Sequence, residues 1–251
     1  MKDDPLDSLE ANPPVVSLHT LFIVLLGILS GVLLATRLLP ALLPGLTTSL
    51  LGEAPKAFWY LSRGSAMTAY LLLWLSMVFG LLITNRMARL WPGGPAAVDL
   101  HQFISLLGIG FALFHGLILM GDQYIQFSLA QIFVPFASQA YRPFAVGIGQ
   151  VGFYLWAIVA FSFYVRRKIG SKTWRLVHFA SFLAFAAALF HGMTSGTDTG
   201  SIWAILLYGA SGIILLFLIL YRILIAGDKE HHRPRKLIKK PSPDRLSNPT
   251  G

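Results

Sequence analysis

Seven histidines are the side chains best able to do chemistry in this chain of 251 residues, which contains no cysteine. Without Cys there are no disulfides, thiolate zinc sites, iron–sulfur clusters or C-x-x-C-H haem attachments. His231 and His232 fall in a basic tail, and His19 lies at the mouth of an apolar stretch, where solvated or interfacial roles suffice. The other four sit inside long uncharged stretches: His101 and His115 in 100–121, His178 and His191 in 176–197. An ionisable residue at such a place is costly and marks a functional site by default.

The elements that must position these histidines are helices in a membrane. The chain is 55% hydrophobic and only 12% charged, against roughly 25% charged residues in soluble domains. Uncharged stretches run over 11–36, 64–85, 100–121, 143–165, 176–197 and 199–221. A helix of about 20 apolar residues spans the ~30 Å hydrocarbon layer, and backbone polar groups there must be satisfied internally. The expectation is an all-α, polytopic membrane protein: a six-helix transmembrane bundle with spans at about 18–37, 64–85, 100–120, 144–165, 175–194 and 201–224. It divides into an N-terminal tail (1–17), the six-span domain (18–226) and a basic, disordered tail (227–251). Segment 123–141 is also uncharged, but it holds four glutamines and Pro135 and suits the membrane interface. Segment 38–52, with Pro40, Pro44 and Gly45, reads as a connection.

Six spans put both termini on one side. That side collects 16 of the 20 Lys and Arg residues, leaving only Arg37, Lys56, Arg63 and Arg142 opposite. The positive-inside rule makes both termini cytoplasmic in a multi-pass cell-membrane protein. The first ten residues carry Lys2 against four acidic residues, unlike a cleaved signal peptide, so the first span is expected to be an uncleaved anchor. From Arg222 onward there are eight basic and three acidic residues, net +5 of the total +9. The lipid bilayer, through anionic headgroups, is the natural partner of such a tail, and no motif supports nucleic acid.

The third and fifth spans run in the same direction, so their histidines lie at matched depths. His101 and His178 are near the cytoplasmic end, with His115 and His191 14 and 13 residues further on, or about 21 and 20 Å of helical rise. Facing imidazoles at each level are how a bundle holds a haem iron at both axial positions. Ala112-Leu113-Phe114-His115-Gly116 recurs as Ala188-Leu189-Phe190-His191-Gly192, with a glycine that would let a flat macrocycle approach the backbone. A 14-residue interval returns a side chain to within about 40°, whereas 13 leaves it about 140° away. Either the fifth helix is locally irregular or its two histidines leave from different flanks.

Residues 59–224 resemble the ferric reductase-like transmembrane family, which includes the membrane parts of ferric reductases and NADPH oxidases. They are also similar to the haem-binding membrane subunit of periplasmic methionine sulfoxide reductase. The likeness rests on the six spans, the four histidines, Thr173-Trp174-Arg175-Leu176-Val177-His178 and Phe190-His191-Gly192. It implies two b-type haems, one on His101 and His178 and one on His115 and His191, and tolerance of the 13-residue interval. It also implies an iron-linked electron-transport function: an oxidoreductase subunit passing electrons from a cytoplasmic or quinol donor to an acceptor on the outer face. The departure is at the C-terminus, where the chain ends about 25 residues after the sixth span with no G-x-G-x-x-G unit. Gly147-Ile148-Gly149, inside a span, reads as helix packing. Electrons are therefore expected from a separate flavoprotein, a bound flavin or a quinone.

Arg175, one turn before His178, and Arg142 and Arg63 on the other side are candidates for haem propionate contacts, with headgroup snorkelling as the ordinary alternative. The hydroxyl-rich hairpin 194–201 after His191 reads as a turn with an Asx-type bond, or as an edge of the outer haem site. The rival class is a non-redox transporter or assembly protein using the histidines for protons or metal. The absence of Asp and Glu from the span cores weighs against proton coupling.

Overall fold

The computed structural model describes residues 13–42, 44, 57–85, 87, 93–122, 125–139 and 141–231, with side chains through 224. Among the described residues there are seven helices and no strand. We label them α1 (Leu18–Leu42), α2 (Ala57–Thr84), α3 (Gly94–Ile118, continued by a 3-10 turn Leu119–Gly121), α4 (Leu129–Phe133), α5 (Pro143–Ile169), α6 (Ser171–Ser195) and α7 (Ile202–His231). All but α4 are long and apolar enough to cross a membrane. The third and fifth spans of the sequence are α3 and α6.

The helices outrun the uncharged stretches, because a charge ends the hydrocarbon layer without ending a helix. The α2 helix begins six residues before Arg63, and α3 contains Asp99. The α1 helix passes Arg37 and Pro40 by widening into a π-turn over Leu34–Leu38. Pro40 has no N–H, and the wider turn absorbs the missing bond. The helix thus takes up the start of the expected 38–52 connection; residues 43 and 45–56 lie outside the described residues. The loop expected between the fourth and fifth spans reduces to Gly170, which ends α5 and starts α6 at φ 78° and ψ 155°, a conformation open to glycine and strained for other residues. The last helix reaches His231, so residues 227–231 of the expected disordered tail are helical. Residues 232–251, with His232, lie outside the described residues.

Two antiparallel hairpins, α2–α3 and α5–α6, form the centre. The α1 helix packs on α3, and α7 on α2. Exposed Leu26, Leu176, Ile202, Ile213 and Phe217 face outward, while Ser62, Ser76, Ser162 and Ser211 are buried. Apolar outside with small polar residues between helices is the packing of a lipid-solvated bundle. Bonds from Val15 N to Gln102 Oε1 (3.3 Å), Tyr164 Oη to Val16 O (2.9 Å) and Asn85 Nδ2 to Leu218 O (3.3 Å) gather the ends of the chain's spans at one end of the bundle, the near end. At the far end, Arg63 pairs with Asp198, and Tyr141 Oη donates to Ser195 O at 2.7 Å.

Segment 125–139 closes the far end. Ser128 and Gln131 form a reciprocal capping box that starts α4. Gln150 of α5 holds it down: its Nε2 donates to Gln131 O and Ile132 O, both at 2.7 Å, and its Oε1 accepts from Phe136 N at 3.2 Å. Tyr154 adds a hydroxyl bond to Phe133 O. Phe127 is buried while Leu129, Val134 and Phe136 are exposed, as befits a segment at the bundle's apolar rim.

Candidate functional site

The four histidines of the spans meet in two pairs. The His101 and His178 rings are 6.1 Å apart between centroids, and the His115 and His191 rings 6.2 Å. In each pair one ring comes from each central hairpin. The α6 helix is uninterrupted from Ser171 to Ser195, so the 13-residue interval is met by histidines leaving different flanks, without a local irregularity.

The rings are held by backbone carbonyls. His101 Nδ1 donates to Ser76 O (2.8 Å), His115 Nδ1 to Ser62 O (2.9 Å) and His191 Nδ1 to Ala145 O (2.9 Å). A carbonyl can only accept, so each Nδ1 carries the proton and each Nε2 keeps a free lone pair. Ser62 Oγ also donates to His115 O at 3.2 Å, and Ser76 Oγ lies 3.2 Å from His101 Nδ1. His178 is steadied by the indole of Trp174, 5.2 Å away and inclined by 37°.

The pair geometry accommodates an iron. With metal–nitrogen bonds of about 2.0–2.1 Å, and a ring centroid about 1.1 Å beyond each nitrogen, two imidazoles that shared one ion between them would stand about 6.3 Å apart. The observed centroid spacings of 6.1 and 6.2 Å are of that length, and in three of the four rings Nδ1 is engaged by a carbonyl, which leaves Nε2 as the nitrogen available to a metal. Fixing a ligand's tautomer through its second nitrogen is the usual support of a ligating histidine.

Each pair faces a cavity, of about 200 Å³ at the near end and about 240 Å³ at the far end. Trp156 and Leu73 line both. Trp156 is buried, its Nε1 donates to Ser105 Oγ at 3.0 Å, and its ring fills the space a side chain at Gly108 would occupy, 2.5 Å from an added Cβ.

The glycines act differently from the expectation. Gly116 and Gly192, beside the far-end histidines, line the cavity, but a Cβ would meet Ile132 at 3.3 Å and Tyr208 Oη at 2.8 Å; their space admits protein side chains. Within Gly147-Ile148-Gly149, Gly147 admits Phe136 and Gly149 admits His191 itself. That sequence is therefore packing, and part of it is packing against a candidate ligand.

The arginines divide. Arg175 lines the near-end cavity together with Arg222. Arg63 lines the far-end cavity, paired with Asp198. Arg142 is exposed, outside the residues lining either cavity, and its guanidinium donates to Thr194 O, tying the start of α5 to the end of α6. In the hairpin after His191 the Asp198 carboxylate takes Arg63 in place of an Asx-type bond, while its backbone carbonyl receives Ser201 N (2.8 Å) and Oγ (2.6 Å). Residues Ser195 to Thr199 of this hairpin wall the far-end cavity. Gln150, Trp156, Ser62 and Ser76 were invisible as site residues in the sequence, because none carries a local motif and their partners are 14 to 53 residues away.

No family model matches the chain, and neither a curated protein nor a solved structure matches it. The resemblance to the ferric reductase-like family rests on the residues alone.

Proposed function

We propose that the chain is a membrane electron-transfer protein with two bis-histidine b-type haems, on His101 with His178 and on His115 with His191. It takes electrons from a cytoplasmic or quinol donor and delivers them to an acceptor at the outer face, as the membrane haem subunit of an oxidoreductase. The supporting observation is the pair of imidazole–imidazole spacings, 6.1 and 6.2 Å, at two levels of one bundle. Haem iron, when bound, supplies reversible one-electron chemistry. The protein's residues supply the rest: Ser62, Ser76 and Ala145 carbonyls orient rings, and Trp156 packs between the levels and excludes water.

The arrangement favours haem over a bare divalent ion. Among the described residues no three His, Asp or Glu side chains converge, whereas a tetrahedral zinc site needs three or four such ligands. The near end carries the basic excess and is the cytoplasmic side in this reading, in a multi-pass cell-membrane protein. An electron moving outward across an inside-negative membrane gains roughly 2.3 kcal/mol per 100 mV.

The test is optical. Protein purified from haem-replete cells should be red, with the reduced spectrum of six-coordinate b-type haem. A colourless preparation would defeat the proposal.

A further inference from the structure

The near-end cavity contains polar groups that iron ligation does not use. Trp174 is 7% exposed, and its indole Nε1 is buried without a hydrogen-bond partner. Gln102, next to His101, has a buried Nε2 that also lacks a partner. Its Oε1 accepts from Val15 N at 3.3 Å, which settles the amide orientation and turns the Nε2 donor away from the N-terminal segment. Both residues line the near-end cavity, together with Arg175 and Arg222. No Asp or Glu is among its described lining residues. Two neutral donors and two guanidinium groups thus border one apolar space with no acceptor of matching charge. A buried donor left unpaired is costly, so such a set implies an acceptor brought by the ligand.

The far-end cavity is built otherwise. Among its described lining residues the one arginine is Arg63, which is neutralised by Asp198 within the protein.

We propose that the near-end cavity recognises an anionic, oxygen-rich edge of its ligand, with Trp174 Nε1, Gln102 Nε2, Arg175 and Arg222 as the donors. Resting on the haem reading above, that edge is the carboxylate edge of the haem held by His101 and His178. The two sites then differ in kind: the near-end site reads the charge of its ligand's rim, and the far-end site does not carry a free cationic cradle for it. Charge-assisted bonds to carboxylates are the strong ones, so the discrimination should be large.

The experiment uses the full chain carrying His115→Ala, which leaves only the near-end pair. Haem and haem dimethyl ester, whose rim carboxylates are capped, are titrated into the haem-free protein and followed by absorption. Haem should bind about tenfold or more tighter than the ester. Adding Arg175→Gln and Arg222→Gln should narrow that preference to about twofold, and adding Trp174→Phe and Gln102→Leu instead should reduce it by a smaller step, while the bound spectrum stays six-coordinate and so reports an intact pair. Equal affinity for haem and ester, with a six-coordinate spectrum, overturns the rim assignment and leaves the haem reading standing. If the donors instead serve lipid headgroups, the preference is absent and Trp174 fluorescence differs between phosphatidylglycerol and phosphatidylcholine vesicles, which also overturns it. Failure of every variant and of the unmodified chain to bind haem at all overturns the haem reading itself.

Discussion

Gly149 stands against His191 so closely that a Cβ at position 149 would lie 2.6 Å from the imidazole Cγ and Nδ1. The helix of one candidate ligand is thereby pressed against a bare patch of its neighbour, and the same contact region supplies the Ala145 carbonyl that receives His191 Nδ1.

Gly149→Ala should therefore push His191 out of line. Real Cβ atoms do not approach within 3.0 Å, and the ring is gripped by Ala145, so the strain falls on the ligand. Overpacking of this kind costs about 1–3 kcal/mol. Haem content should fall by about half, from the far-end site, with a matching loss in thermal stability. Retention of full haem content would show that the contact yields without moving the ring.

The histidines should act in pairs. His101→Ala and His178→Ala should each empty the near end, and His115→Ala and His191→Ala the far end, so every single variant keeps about half of the haem. The double variant His101→Ala/His178→Ala should lose no more than either single one. Haem-to-protein stoichiometry by pyridine haemochrome assay decides, and additive losses within one pair would break the assignment.

Ser62→Ala and Ser76→Ala should be mild. The bond that orients each histidine goes to the serine's backbone carbonyl, at 2.9 and 2.8 Å, which alanine keeps. Loss of each hydroxyl should cost about 1 kcal/mol, with haem content unchanged. Loss of haem in either variant would move the orienting role to the hydroxyl.

Trp156→Ala should join the two cavities. The indole is buried and lines both, so its removal leaves a void the helices cannot refill. A destabilisation of about 3–5 kcal/mol is expected, seen as a lowered midpoint of thermal unfolding in detergent. Trp156→Phe should recover most of it.

The Arg63–Asp198 pair should matter little to stability. Its side chains are 35% and 26% exposed, and exposed pairs contribute about 0–1 kcal/mol. A double-mutant cycle of Arg63→Gln and Asp198→Asn should return a coupling in that range that shrinks in high salt.

The bundle was legible because charge is so costly in hydrocarbon that its absence outlines a span. The same signal is blind to helix ends: α2 and α3 each begin several residues before the expected start, where charged residues sit in helix at the interface. The turn at Gly170 was hidden for that reason. The levels of the histidines followed from counting along helices. The partners that orient them did not, since Ser62 acts on His115 across 53 residues and a carbonyl leaves no mark in a sequence. The sequence marks Gly149 as a packing position, but nothing local says that the group packed there is His191.

Both carbonyls that set the α3 histidines belong to α2, at Ser62 and Ser76. They are 14 residues apart, and so are His115 and His101, so one hairpin carries both clamps at one interval. Synthesis proceeds from the N-terminus, and this hairpin leaves the ribosome before α5 and α6 exist. At each level the α3 histidine and the α2 carbonyl that receives its Nδ1 are thus both made before the α6 histidine. On the proposed reading, iron could be held from both sides only once α6 arrives, so the two levels would close together, late in the birth of the protein.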